Sequence, residues 1–181
     1  MGIQSIYKLL QQWFPELAYR DLPSKEQRTQ YETFRQWLYV TVEPHTFRSY
    51  LMPMHSQQYL QNGLNHCAVL QDLEVDIGMT QQQISVRCQP IFAHYEKYKK
   101  VIGSHCDLYS QINDIVIDEI FILLKRLNFA MLLIYGGQNC WLAVPNDEVQ
   151  IDQFCRLFNQ HFKDQNQNIE HYQPRHWSWS T

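Results

Sequence analysis

The chain lacks the short motifs by which many enzymes and membrane proteins are identified. It has no glycine-rich phosphate-binding loop, no G-x-S-x-G, no H-E-x-x-H and no dinucleotide-binding fingerprint. It has no run of about 18 apolar residues, which a membrane-spanning helix needs. Residues 1–14 lack the basic start and the small-residue cleavage site of a signal peptide. We therefore expect a cytoplasmic protein that carries no cofactor and contacts no membrane.

The chain also lacks a strong excess of either charge. Its 181 residues include 15 Lys and Arg against 18 Asp and Glu, a net charge of -3, whereas a domain that binds nucleic acid is normally strongly basic. Hydrophobic residues make up 45% of the chain, which is enough for a substantial core. These totals predict one domain over residues 1–181 and disfavour nucleic acid as a partner.

Cysteines are few, and their spacing suggests no disulfide or zinc framework. They are Cys67, Cys88, Cys106, Cys140 and Cys155, an odd number without any C-x-x-C pair. A chain of this size in a reducing compartment needs no disulfides. We therefore interpret them as free thiols, most of them buried.

The distribution of apolar residues predicts an α+β fold. Apolar residues recur at helical spacing over much of 1–60 and again over 107–127. Two other segments, about 66–90 and 129–145, show strand-length apolar or alternating patterns around turn residues, which is typical of β-hairpins. We expect an antiparallel sheet built from these two hairpins and packed against helices, with a helical N-terminal third and a polar and aromatic tail over 164–181.

The second hairpin carries the strongest local signals. The apolar runs FAMLLIY and CWLAV flank GGQN, and the glycines favour a tight turn. Pro145 ends the second run. Asp147 is placed to cap the following helix, with Gln150 at its third position.

Cys140 lies in this hairpin and raises the question of a catalytic thiol. A nucleophilic cysteine is usually activated by a helix N-terminus or by a paired histidine. The residues after Cys140 are apolar and end at Pro145, so they form no helix of useful length. We favour a buried structural cysteine, and we keep as the alternative a cysteine-dependent hydrolase or transferase that uses Cys140 or Cys67 with a histidine such as His161.

Histidine and cysteine also occur together at two places, which suggests a metal site. His66, Cys88 and His105 are the candidate ligands. Their spacing contains no short ligand pair of the kind that makes a zinc site specific, and neighbours on one strand point to opposite faces. We favour no metal, and a metal-dependent nucleic-acid enzyme stays as a further alternative.

The segment DLEVDIG predicts a strand with a row of carboxylates on one face, namely Asp72, Glu74 and Asp76. Such a row is most often a solvated strand face. It also suits a docking surface for a basic protein partner. The third interpretation, a site for magnesium or calcium, has the least support, because no lysine follows in the pattern of a paired-acid nuclease.

Two further segments bear on the partner. In HYEKYKK, at 94–100, tyrosine and lysine alternate in a way that suits nucleic acid, but in an acidic chain a solvated helix face is the better interpretation. Trp177 and Trp179 lie near the end of the chain, where they either cover the edge of the core or anchor an interface.

Taken together, these patterns favour a protein-binding protein without catalytic activity. The most concrete form of this hypothesis is an immunity or inhibitor protein that neutralises a cognate toxin. In that case Asp72, Glu74 and Asp76, with Trp177 and Trp179, would contact a basic toxin domain.

Overall fold

The computed structural model describes residues 2–43, 46–54, 63–102 and 108–174. Within these ranges the protein has a mixed α+β fold, as the sequence predicts. The helices are α1 (Gln4–Trp13), α2 (Tyr31–Trp37), α3 (Ala68–Asp72), α4 (Gly78–Ile102), α5 (Leu108–Arg126) and α6 (Glu148–Phe162). The strands are β1 (Tyr39–Glu43), β2 (Thr46–Ser49), β3 (Met52–Pro53), β4 (Phe129–Tyr135), β5 (Cys140–Pro145) and β6 (Asn168–His171).

The strands form two antiparallel sheets. β1 pairs with β2, and the larger sheet has the order β3-β5-β4-β6. The hairpin predicted at 129–145 is confirmed, since β4 and β5 pair along their length, from Phe129 opposite Pro145 to Ile134 opposite Cys140. β6 pairs with the other side of β4, so part of the segment predicted as a tail over 164–181 is an edge strand.

Both faces of the larger sheet are buried at its centre. Successive side chains of a strand point to opposite faces, yet residues 130–134 of β4 and 140–144 of β5 are all buried. α5 packs on β4, and α6 packs on β6. The Asp147 side chain caps α6 by accepting a hydrogen bond of 3.1 Å from the Gln150 backbone N–H, as the sequence predicts.

The N-terminal helices contribute to the same core. α1 contacts α6, and the Trp13 indole donates a hydrogen bond of 2.7 Å to the Gln150 side chain. The ring of Phe34 in α2 lies 5.4 Å from that of Phe158 and 5.5 Å from that of Phe162, measured between centroids. The helical N-terminal part is therefore confirmed for α1 and α2.

The helical pattern predicted within 1–60 does not hold for residues 39–43, 46–49 and 52–53, which form the short strands β1, β2 and β3. Val40 and Thr41 are β-branched and favour strands. Pro53 lacks the N–H that a helix interior requires. Ser24 and Gln27 form reciprocal capping bonds, but the helical turn that follows ends at Thr29, before the chain reaches α2.

The prediction of a hairpin at about 66–90 is wrong. These residues form α3 and the first half of α4. α4 turns Thr80, Ile84 and Cys88 into the core, at a spacing of one helical turn. Most residues between them are polar, so this stripe is narrow and its helical period is weak in the sequence.

The alternation that suggested a strand falls in the connection between α3 and α4. Glu74, in the middle of that connection, has φ of 51°. This left-handed conformation does not occur within a regular strand. The acidic and apolar residues of the connection therefore alternate along a turn, and they do not face opposite sides of a sheet.

Truncation of Phe34 and Phe158 tests whether the N-terminal helices unfold together with the sheet. We expect Phe34→Ala and Phe158→Ala each to lower the free energy of unfolding by about 3–5 kcal/mol, because each removes a fully buried ring. Urea denaturation followed by circular dichroism and by tryptophan fluorescence should give one shared transition for each variant. The mostly exposed Val149 provides the control, Val149→Ala. Separate transitions in Phe34→Ala would show that α1 and α2 form their own unit.

Candidate functional site

The Cys140 thiol lies in the core at the start of β5. Its side chain is buried, and the thiol donates a hydrogen bond of 3.6 Å to the Gln138 carbonyl oxygen. Burial raises the pKa of Cys140 to about 11, and the opposing effects of Arg35 and the Tyr31 hydroxyl offset only part of this. A thiol with this pKa is almost wholly protonated at neutral pH, so the environment does not activate it as a nucleophile.

Cys67 and His161 do not supply the missing activation. Cys67 is buried next to the start of α3, and burial raises its pKa to about 11, against the effect of two backbone N–H groups. His161 lies on α6, and its Nε2 atom is buried without a hydrogen-bond partner. Among the described residues, therefore, no imidazole is bonded to the thiol of Cys67 or Cys140.

The candidate metal ligands are not brought together. The exposed His66 ring forms a hydrogen bond of 3.0 Å through Nδ1 with the Phe47 carbonyl oxygen. Cys88 is buried on the inner side of α4, and His105 lies outside the described residues. Over the described ranges, no group of three His, Cys, Asp or Glu side chains is arranged to hold a metal ion.

The predicted acidic residues are exposed, but they occupy a helix end and a turn. Asp72 is the last residue of α3, Glu74 has the left-handed backbone noted above, and Asp76 precedes α4. The Asp76 carboxylate accepts a hydrogen bond of 2.9 Å from the Gly78 backbone N–H, which satisfies a donor at the start of α4. The strand face predicted for these three carboxylates is thus replaced by a cluster around the α3–α4 connection.

Arg48 links this connection to the N-terminal part of the chain. Its guanidinium donates bonds of 2.6 Å to Asp72 and 3.1 Å to Glu16, although its own side chain is only 14% exposed. The hydroxyl of Tyr50 also donates to the Glu16 carboxylate, at 2.9 Å. Charged hydrogen bonds of this kind are stronger than neutral ones, so Arg48 holds the two carboxylates in place.

We call Glu16, Asp72, Glu74 and Asp76, together with Arg48, the acidic corner. Four carboxylates and one guanidinium give it a net charge of -3. Glu16 and Arg48 carry no signal in the sequence, because neither lies near the DLEVDIG segment in the chain and no local pattern marks their approach.

Exposed apolar side chains lie next to the acidic corner. Leu73 is 47% exposed and Met79 is 65% exposed. Single exposed apolar residues are ordinary, but here they flank carboxylates on both sides of the connection. The arrangement is therefore suited to a contact that combines charge with apolar burial.

A groove between α4 and α5 lies further along the molecule. It has a volume of about 390 Å³, and its lining includes Val86 and Ile122. Arg87 of α4 donates a hydrogen bond of 2.6 Å to the Glu119 carboxylate of α5 across this groove. The pair satisfies Glu119, whose side chain is only 8% exposed.

Comparisons with known protein families, with curated proteins and with solved structures find no match to this chain. No helix in the described ranges has both the length and the apolar character needed to cross a membrane. Trp177 and Trp179 lie outside the described residues.

The environment of the two buried thiols predicts slow alkylation. A rise in pKa from 9.0 to about 11 lowers the thiolate fraction at neutral pH about 100-fold, and burial slows access further. With iodoacetamide, Cys67 and Cys140 of the native protein should react at least about 100 times more slowly than the same residues in urea. Peptide mass spectrometry assigns each site. Native labelling of Cys140 as fast as in urea would support the catalytic alternative.

The same thiols predict a loss of stability at alkaline pH. Their pKa values are about 11 in the folded protein against an ordinary value of 9.0, so the unfolded chain ionises first as the pH rises. Their contribution to stability is complete below pH 9 and falls as the pH approaches 11, by up to about 3 kcal/mol per thiol. Cys140→Ala should reduce the slope of unfolding free energy against pH above about pH 9. An unchanged slope would contradict the assignment.

Proposed function

We propose that this chain is a protein-binding protein without catalytic activity, and that it binds a basic protein partner through the acidic corner. The observation that carries this proposal is the cluster of exposed carboxylates with exposed Leu73 and Met79 beside it. In its most concrete form the partner is a toxin that the protein neutralises. Neutralisation would follow from occupation of the toxin's basic surface.

The arrangement of the carboxylates favours a protein surface over a small cation as the ligand. Asp72 is paired with Arg48, and the Asp76 carboxylate bonds the Gly78 N–H. A hard cation needs several oxygen ligands that converge on one point. Over the described residues no three of these side chains converge in that way. Carboxylates that face solvent instead attract a basic surface, and this attraction speeds association.

The adjacent apolar residues extend the same argument. Methionine is flexible and polarisable, and it adapts to different contact surfaces. Met79 lies in the first turn of α4, after Asp76, Ile77 and Gly78, and Leu73 lies between Asp72 and Glu74. A partner that approaches the carboxylates would therefore also cover apolar surface, which adds to affinity as well as to the association rate.

The test removes charge from the acidic corner without disturbing its backbone. Glu74→Asn suits a left-handed position and Asp76→Asn keeps a helix-capping side chain, so the double variant should fold as the native protein does. Asp152→Asn with Asp164→Asn, both exposed and on or beside α6, is the matched control. The three proteins are immobilised as baits for proteins from the cell of origin.

The supporting result is a basic protein that the native and control baits retain and the corner variant loses. That protein, once purified, should associate with the corner variant at least about five times more slowly at low salt, with a smaller effect at high salt. Co-expression with the native chain should relieve any toxicity it has. If every retained protein binds all three baits equally, the acidic corner is not the binding surface.

A further inference from the structure

The outward side of α4 carries apolar residues that no other element of the described structure covers. Met79 and Val86 are 65% and 56% exposed, and Pro90 and Ala93 are also exposed. Their helical positions fall within a stripe opposite the buried residues Thr80, Ile84 and Cys88. The groove that contains Ile122 of α5 borders this stripe.

Charge changes sign along both helices of this face. α4 begins beside Glu74 and Asp76, has no charged residue from 78 to 86, and carries Lys97, Lys99 and Lys100 in its last turns. α5 runs from Asp114 and Asp118 to Lys125 and Arg126. Since Lys99 is paired with Glu96 at 2.6 Å, the basic end of α4 keeps a net charge of +2.

α4 and α5 run in opposite directions. Arg87 pairs with Glu119, while Gln82 and Gln83 line the same groove as Arg126, so residue numbers rise along one helix as they fall along the other. At each end of this face, the acidic end of one helix therefore lies beside the basic end of the other helix. A two-fold rotation about an axis that lies in the face, perpendicular to the helices, places each acidic helix end against a basic helix end of the second copy.

We propose that this face binds a second copy of the chain, with the two α4 helices antiparallel. A pairing centred on residue 88 places Val86 opposite Pro90 of the second copy, and Met79 opposite the aliphatic part of Lys97. In the same register Asp76 of each copy lies opposite Lys100 of the other copy, once at each end of the interface. Each contact occurs twice, as an isologous interface requires.

The size of the face is compatible with a specific but weak dimer. α5 limits the shared length to about 28 Å, and two helices side by side are about 20 Å wide. The face thus offers on the order of 600 Å² per copy, or about 1,200 Å² in total, at the lower limit of specific interfaces. Dimerisation should therefore depend strongly on protein concentration.

Sedimentation velocity of the purified chain over a range of concentrations tests the proposal. Native protein should shift from monomer to dimer. Val86→Asp should raise the dissociation constant at least about tenfold, because it places an unpaired charge in the apolar centre of the interface. Val149→Asp introduces the same charge at a 77% exposed position on α6, and it should leave the dimer intact.

A charge exchange tests the antiparallel register. Lys97→Glu with Lys100→Glu makes both ends of α4 acidic, and Glu74→Lys with Asp76→Asn makes its first end basic. Each double variant alone should dimerise less than the native protein, because like charges then face each other. An equimolar mixture should form a heterodimer, because each altered end meets an end of opposite charge.

Three results would overturn the proposal. The first is a native chain that stays monomeric at every concentration. The second is a Val86→Asp variant that dimerises as strongly as the native chain, and the third is a mixture of the two charge variants that does not associate. The dimer does not depend on the proposed function, and it is measured on the purified chain alone. Asp76 and Met79 belong to both surfaces, so Val86→Asp, which lies outside the acidic corner, separates the two proposals. It should weaken the dimer and leave retention of the basic partner unchanged.

Discussion

The structure depends on one constraint, which is that β4 and β5 are apolar on both faces. A strand hairpin of this kind cannot leave either face in water, because burial of apolar surface is the main favourable contribution to folding. α5 therefore packs on β4, while α6, α1 and α2 build a second layer in which Phe34 meets Phe158 and Phe162. The chain on both sides of the hairpin thus contributes to one continuous core.

The parts of the fold that are visible in the sequence are those with strong local signals. The hairpin has glycines between two apolar runs, α5 has a broad apolar face, and α6 has the Asp147 cap. The first half of α4 has no clear signal, because its buried stripe is narrow and mostly interrupted by glutamine and serine, and because Pro90 lies inside the helix. The second half includes residues 94–100, for which the sequence does favour a helix. In the connection before α4, acidic and apolar residues alternate over 72–77, and this alternation has the period of a strand although the residues form a turn.

The candidate site shows the same division between local and distant causes. Asp72, Glu74 and Asp76 could be chosen from the sequence as an exposed acidic group, and their exposure does not require the strand that suggested it. The roles of Glu16 and Arg48 depend on contacts between residues 24 and 32 positions apart, which only the folded chain creates. Cys140 needs no distant contact to be understood, since the tendency of free cysteine to be buried correctly predicts its place in the core.

Arg48 has a consequence for what another molecule can recognise. Its guanidinium joins Glu16, which follows α1, to Asp72, which ends α3, and it does so from a strand between them in the chain. The spacing of these carboxylates is therefore a property of the completed fold and is absent from a nascent or unfolded chain. A binder or antibody selected on this surface would distinguish folded from unfolded protein. One selected on a short peptide copied from residues 72–76 would not.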